Sequence, residues 1–115
     1  MNSTNIKIRI PLGKLSAMGP GKADLLDAIE RTGSISAAGR DLGMSYKRAW
    51  DLVDTMNRCF REPLVRTATG GSHGGGAAVT EFGHQVLKKY RALVLKANHS
   101  VQPEIQELVG MLKAD

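Results

Sequence analysis

The segment Ser45-Tyr46-Lys47-Arg48 sets a hydroxyl, a phenol and two cations side by side, ahead of any acid. Such a group suits a polyanion. Hydroxyls and ammonium groups hold phosphate oxygens, and an arginine also reaches paired acceptors such as guanine O6 and N7. Upstream, Ser34 and Ser36 offer weaker hydroxyl contacts of the same kind. Downstream, Arg66, Thr67 and Thr69 lead into Gly70 and Gly71, whose backbone can lie close to a phosphate, and His73 follows at the tip. Asp51 is able to accept from a cytosine amine, but it stands one turn after Lys47 and pairs with it as i, i+4. It is left out of the candidate site.

Other chemistries lack their residues. His73, His84, His99 and Cys59 share no metal-ligand spacing, so no metal is expected. No Ser-His-Asp or Cys-His arrangement and no motif-bound carboxylate pair is present, which excludes the common hydrolytic mechanisms; no catalytic residue is assigned and an enzyme is not expected. The glycine cluster is not followed by Lys-Ser/Thr at a strand-to-helix junction, so it does not read as a nucleotide cradle. No cofactor is assigned.

Lys47 and Arg48 need an element that presents them. Ser45 caps a helix expected from Tyr46 to Arg61, stopped before Pro63. On it Ala49, Leu52, Val53, Met56 and Phe60 make one buried stripe, with Lys47, Asp51, Asp54 and Arg58 opposite and Arg48 and Trp50 on the flanks. Trp50 is expected to pack against neighbouring elements. Before it, Ser34 caps a short helix, Ile35 to Leu42, with Gly39 as the small contact and Gly43 as the turn. A helix from about residue 20 to 31, closed by Gly33, precedes that pair. Residues 64–67 and 77–80 read as two short strands around the glycine tip. Thr80 then caps a longer helix through Ala97, and Ile105, Leu108, Val109 and Leu112 form the stripe of a last one, within 101–113. At the other end Ile6-Lys7-Ile8-Arg9-Ile10 alternates as a strand and stops at Pro11.

With 115 residues the chain is one domain, 1–97, followed by a helical tail, 98–115, that packs on the domain or on a partner. Sixteen Lys and Arg against eleven Asp and Glu give a net charge of +5, which suits a polyanion without naming it. Aromatic residues make up only 4%, which argues against stacking on single-stranded bases. No apolar run spans a membrane or forms a secretory leader, and the lone Cys59 fits a reducing cytoplasm. Five of the thirteen glycines fall in residues 70–76, directly after the candidate recognition helix, where they have the form of a wing. A small reader of double-stranded DNA follows from these features together.

The same residues carry a resemblance. The runs Gly33-Ser34-Ile35-Ser36-Ala37-Ala38 and Gly43-Met44-Ser45-Tyr46-Lys47-Arg48-Ala49-Trp50-Asp51-Leu52-Val53, then Met56-Asn57, resemble the DNA-binding domain of ModE-type molybdate-responsive regulators. Glu62-Pro63-Leu64-Val65, the glycine tract through Ala77, and Val79-Thr80 ahead of Gly83 fit as well. The resemblance covers about residues 5–97 and implies a winged helix-turn-helix related to that of LysR-type regulators, acting as a homodimer on duplex DNA. Full-length members also carry a pair of small β-barrel domains that bind molybdate or tungstate; residues 98–115 cannot form these, so direct molybdate sensing is not expected.

The expected architecture is therefore mainly α: a winged helix-turn-helix with a short N-terminal strand, a two-stranded wing and C-terminal dimerisation helices. Two rival functions share it. One is a protein-interaction winged helix whose basic face meets an acidic protein, and the other is a small-oxyanion sensor at a dimer interface. Lys47 and Arg48 at an exposed helix start separate the DNA reader from the first rival, and stabilisation by molybdate, tungstate or sulfate would mark the second.

Overall fold

The computed structural model describes residues 5–68 and 76–114. In chain order the elements are β1 (Ile10–Leu12), β2 (Leu15–Met18), α1 (Pro20–Thr32), α2 (Ile35–Asp41), α3 (Tyr46–Cys59), β3 (Val65–Ala68), β4 (Gly76–Val79), α4 (Glu81–Ser100) and α5 (Gln102–Val109). β1 and β2 form one antiparallel pair and β3 and β4 another, in the register Val65↔Val79 to Ala68↔Gly76.

Each helix starts where its first residues allow. Pro20 sits in the first turn of α1, where a missing N–H costs nothing, and Gly33 ends that helix at φ 72° with its N–H on the Ile29 carbonyl. Ser34, Ser45 and Thr80 each accept from the backbone N–H three residues on, at 3.0, 3.1 and 2.9 Å, and so open α2, α3 and α4. α1 lies at the centre. Its Leu25, Leu26 and Ile29 are fully buried with Met18 of β2, Met56 of α3 and Leu64 ahead of the wing. Burying a side chain of this size contributes about 1.5–3 kcal/mol.

The N-terminus departs from the expected strand. β1 begins only at Ile10 and contains Pro11, and a turn through Gly13 (φ 60°) leads to β2, which the alternation at 6–10 does not announce. Both strands of a two-stranded ribbon are edges, so a proline there breaks no inner ladder. Residues 6–8 lie along α4 instead. The Ile6 N–H donates to Asn98 Oδ1 at 2.5 Å, Asn98 Nδ2 returns a bond to the Ile6 carbonyl at 3.3 Å, and Tyr90 Oη donates to the Ile8 carbonyl at 2.6 Å. Burial pushes the Tyr90 phenol above its ordinary pKa against the opposing pull of Arg91, which keeps it a donor.

α2 and α3 end slightly earlier than expected, at Asp41 and Cys59. α4 continues past residue 97 to Ser100, and α5 ends at Val109, which leaves Leu112 beyond the last helix. Ile105 is buried, whereas Leu95, Leu108, Met111 and Leu112 are exposed.

Candidate nucleic-acid interface

The helix pair α2–α3 owes its approach to two glycines. A β-carbon on Gly39 would stand 3.0 Å from Ala49 Cβ, which is tighter than ordinary contact, so only a residue without one lets the helices meet so closely. Gly43 takes φ 71°, and Met44 N–H donates back to the Gly39 carbonyl at 2.9 Å. Ala49, Val53 and Met56 bury one side of α3, and Leu52 and Phe60 are partly buried beside them. The first turn of α3 carries no acid and projects outward: Tyr46, Lys47 and Arg48 are all exposed.

The serines have used acceptor capacity and kept their donors. Ser34 and Ser45 accept from their own helices, and Ser36 Oγ accepts from Arg40 Nη1 at 3.2 Å. Each hydroxyl hydrogen thus remains free to turn towards a phosphate oxygen. Lys47 Nζ pairs with Asp51 Oδ2 at 3.0 Å, as its spacing requires, and Arg58 pairs with Asp54 at 3.2 Å. Both pairs are well exposed, so each holds its cation only weakly. Trp50 differs from expectation. It is 37% exposed and packs edge-on against Tyr46, with ring centroids 6.2 Å apart, because its flank of α3 points past the neighbouring elements.

The wing is tied to the last turns of α3. Arg66 and Thr67 lie exposed on β3, while Thr69, Gly70, Gly71 and His73 fall outside the described residues. Three ties set its position. Asn57 of α3 accepts from the N–H groups of Leu64 and Val65 at 2.8 and 3.2 Å and donates to the Val65 carbonyl at 3.0 Å. Ala77 N–H donates to the Gly33 carbonyl at 2.9 Å, which joins β4 to the turn before α2. Thr80 Oγ1 donates to the Pro63 carbonyl at 2.7 Å. Gly83 completes the seat, since a β-carbon there would lie 2.3 Å from the Leu64 carbonyl oxygen. Sequence reasoning gave none of these residues a positioning role; an amide in the last turn of a helix, just ahead of a strand, is the only local signal Asn57 gives.

Among the described residues no cluster of three or more His, Cys, Asp and Glu could hold a metal ion, and no helix is long and apolar enough to cross a membrane.

Two short helices with a glycine turn, a protruding helix start and an adjoining hairpin define a winged helix-turn-helix. The fold agrees with that of the chain solved in a CbnR_DBD–DNA complex, at a TM-score of 0.57 and 19% identity over 76% of this chain and 95% of that one. No protein-family model matches the chain. It is 44% identical over 81 residues to the "Molybdenum transport protein ModE" of Azotobacter vinelandii, across 70% of this chain and 30% of that protein. It is 50% identical over 76 residues to the "Molybdenum-pterin-binding protein MopB" of Rhodobacter capsulatus, across 66% of this chain and 28% of that one. To the "Transcriptional regulator ModE" of Haemophilus influenzae it is 34% identical over 117 aligned positions, across 99% of this chain and 46% of the relative. Over the shared segment the chain is similar in sequence to these ModE-named proteins, and its fold is a winged helix-turn-helix. It spans between about a quarter and a half of the length of these relatives.

Proposed function

We propose that this chain binds double-stranded DNA with sequence preference and regulates transcription in the manner its ModE-named relatives suggest, with α3 in the major groove. The observation that carries this is the acid-free first turn of α3, which the α2–α3 turn holds out from the domain with Tyr46, Lys47 and Arg48 exposed. Arg48 and Lys47, once released from Asp51, reach base edges or phosphates. Ser34, Ser36 and Ser45 hold the backbone from the helix starts, and Arg66 and Thr67, continuing into Thr69, Gly70, Gly71 and His73, follow the flanking groove from the wing. The role is binding rather than catalysis. The molybdenum in the relatives' names supports regulation of molybdenum-related genes.

The chain acts as a two-fold dimer. Leu95, Leu108, Met111 and Leu112, 64–81% exposed, are covered by the same segment of a second copy, and the pair reads a pseudo-palindrome. Fragments selected from genomic DNA supply the test duplex. Lys47→Ala with Arg48→Ala lowers affinity for it, by about 1–3 kcal/mol for each contact that reads a base, while helicity is kept. Unchanged affinity overturns the assignment. Sedimentation of the parent complex shows two chains per duplex; one chain per duplex overturns the dimer.

A further inference from the structure

On the exposed side of α3 the cations have acids beside them, Lys47 with Asp51 and Arg58 with Asp54. Around the corner of the same helix they do not. Lys22, in the first turn of α1, lies there within electrostatic reach of Arg9, from the chain ahead of β1, and of Arg48, from the first turn of α3. The stem of Arg9 passes over Gly19, its Cγ 3.5 Å from where a β-carbon would stand. Lys22 is half-buried and within electrostatic reach of both Arg9 and Arg48. Burial pulls its ammonium below the ordinary lysine pKa, and the two guanidinium groups pull the same way against an opposing effect of Cys59. Among the described residues none of the three cations has a carboxylate within ion-pair distance, and the first turn of α1 carries no acid. Like charges within electrostatic reach of one another, none of them paired with a carboxylate, raise the energy of the free protein, and an anion bound beside them lowers that cost.

The place of the cluster says which anion. At 100° per residue Arg48 and Trp50 lie about 160° apart around α3, with Lys47, Asp51, Asp54 and Arg58 between them. The Trp50 side leads to Asn57 and the wing. The Arg48 side leads to Lys22 and Arg9. A helix lying in a groove has a phosphate backbone along each side, and the wing accounts for only one.

We infer that Arg9, Lys22 and Arg48 form a second phosphate-binding cluster, opposite the wing, that holds the far backbone of the groove occupied by α3. This rests on the DNA-binding function proposed above and extends the footprint to two residues outside the helix-turn-helix. The cluster takes phosphodiester oxygens, so it adds affinity without sequence preference.

The experiment measures salt dependence of binding to a mixed-sequence duplex of about 40 base pairs and to a selected operator fragment. Each phosphate contact contributes about 0.9 to the slope of log affinity against log salt. Arg9→Gln with Lys22→Gln therefore lowers the slope by about 2 on both duplexes and leaves the operator-to-mixed preference unchanged. Arg9→Gln alone, at an exposed position, lowers it by about 1, which keeps the test sound if the half-buried Lys22→Gln impairs folding. Arg9→Lys with Lys22→Arg retains the parent slope, and Lys113→Gln, removing one charge beyond α5, does not move it. An unchanged slope in the glutamine variants overturns the cluster while the parent's binding upholds the DNA reading. An equal fall for Lys113→Gln also overturns it, as general charge loss, and lost operator preference overturns the phosphate assignment. A parent that binds neither duplex overturns both proposals.

Discussion

On its wing side α3 meets its neighbour through uncharged groups, the Asn57 amide against the backbone of Leu64 and Val65, with Gly83 seated under the Leu64 carbonyl. On the opposite side it meets Lys22 and Arg9 across unneutralised charge. Short, directed hydrogen bonds fix a hairpin at one angle whatever the ionic strength. Cations near one another repel, and salt screens that repulsion, so that side is tuned by ionic strength. One border of the candidate interface is thus built in advance and the other depends on salt.

Substitutions separate the two borders. The largest effect falls at Gly83. Gly83→Ala drives a methyl to 2.3 Å from the Leu64 oxygen, and the forced shift costs about 2–3 kcal/mol beyond any gain in helix propensity. Thermal melting shows a fall of roughly 10 °C, and an unchanged midpoint would mean the wing seat yields freely. Next comes Asn57→Ala, which strands two backbone N–H groups and one carbonyl. Stability drops by about 2 kcal/mol in urea titration, and DNA affinity falls without a change in salt slope. A reduced slope there would erase the contrast between the borders. The smallest change is Asp51→Asn. Removing the exposed pair with Lys47 alters stability by about 0.3–0.5 kcal/mol, and the freed ammonium raises affinity for mixed-sequence duplex by up to about tenfold. Weaker binding instead would show that Asp51 takes part in recognition.

The features that could be read from the sequence are those completed within a few residues. Ser34, Ser45 and Thr80 bond N–H groups only three positions away, and Gly33 and Gly43 adopt the positive φ of a helix end and a turn. Their chemistry depends on close neighbours, so helix starts, the turn and the wing strands fell near the expected places. The N-terminal hairpin was not legible. Alternation at 6–10 looks like a strand, yet the partners of Ile6 and Ile8 are Asn98 and Tyr90, 92 and 82 residues away. Trp50 misled for a related reason, since a large ring favours burial on average while helix phase places this one on an open flank. Arg9 and Lys22 read as scattered positive charge, and only the packing of β2 and α1 on α3 brings them to Arg48.

The ring of bonds around Asn98 carries a consequence for how order is recognised. Ile6 belongs to no helix or strand, yet its amide hydrogen is given to a buried side chain and its carbonyl receives one from the same group. Solvent exchange at that amide therefore follows the loosening of Asn98 from the N-terminal segment rather than any ladder of its own. A single peptide in irregular backbone becomes a gauge of whether the long helix α4 is docked.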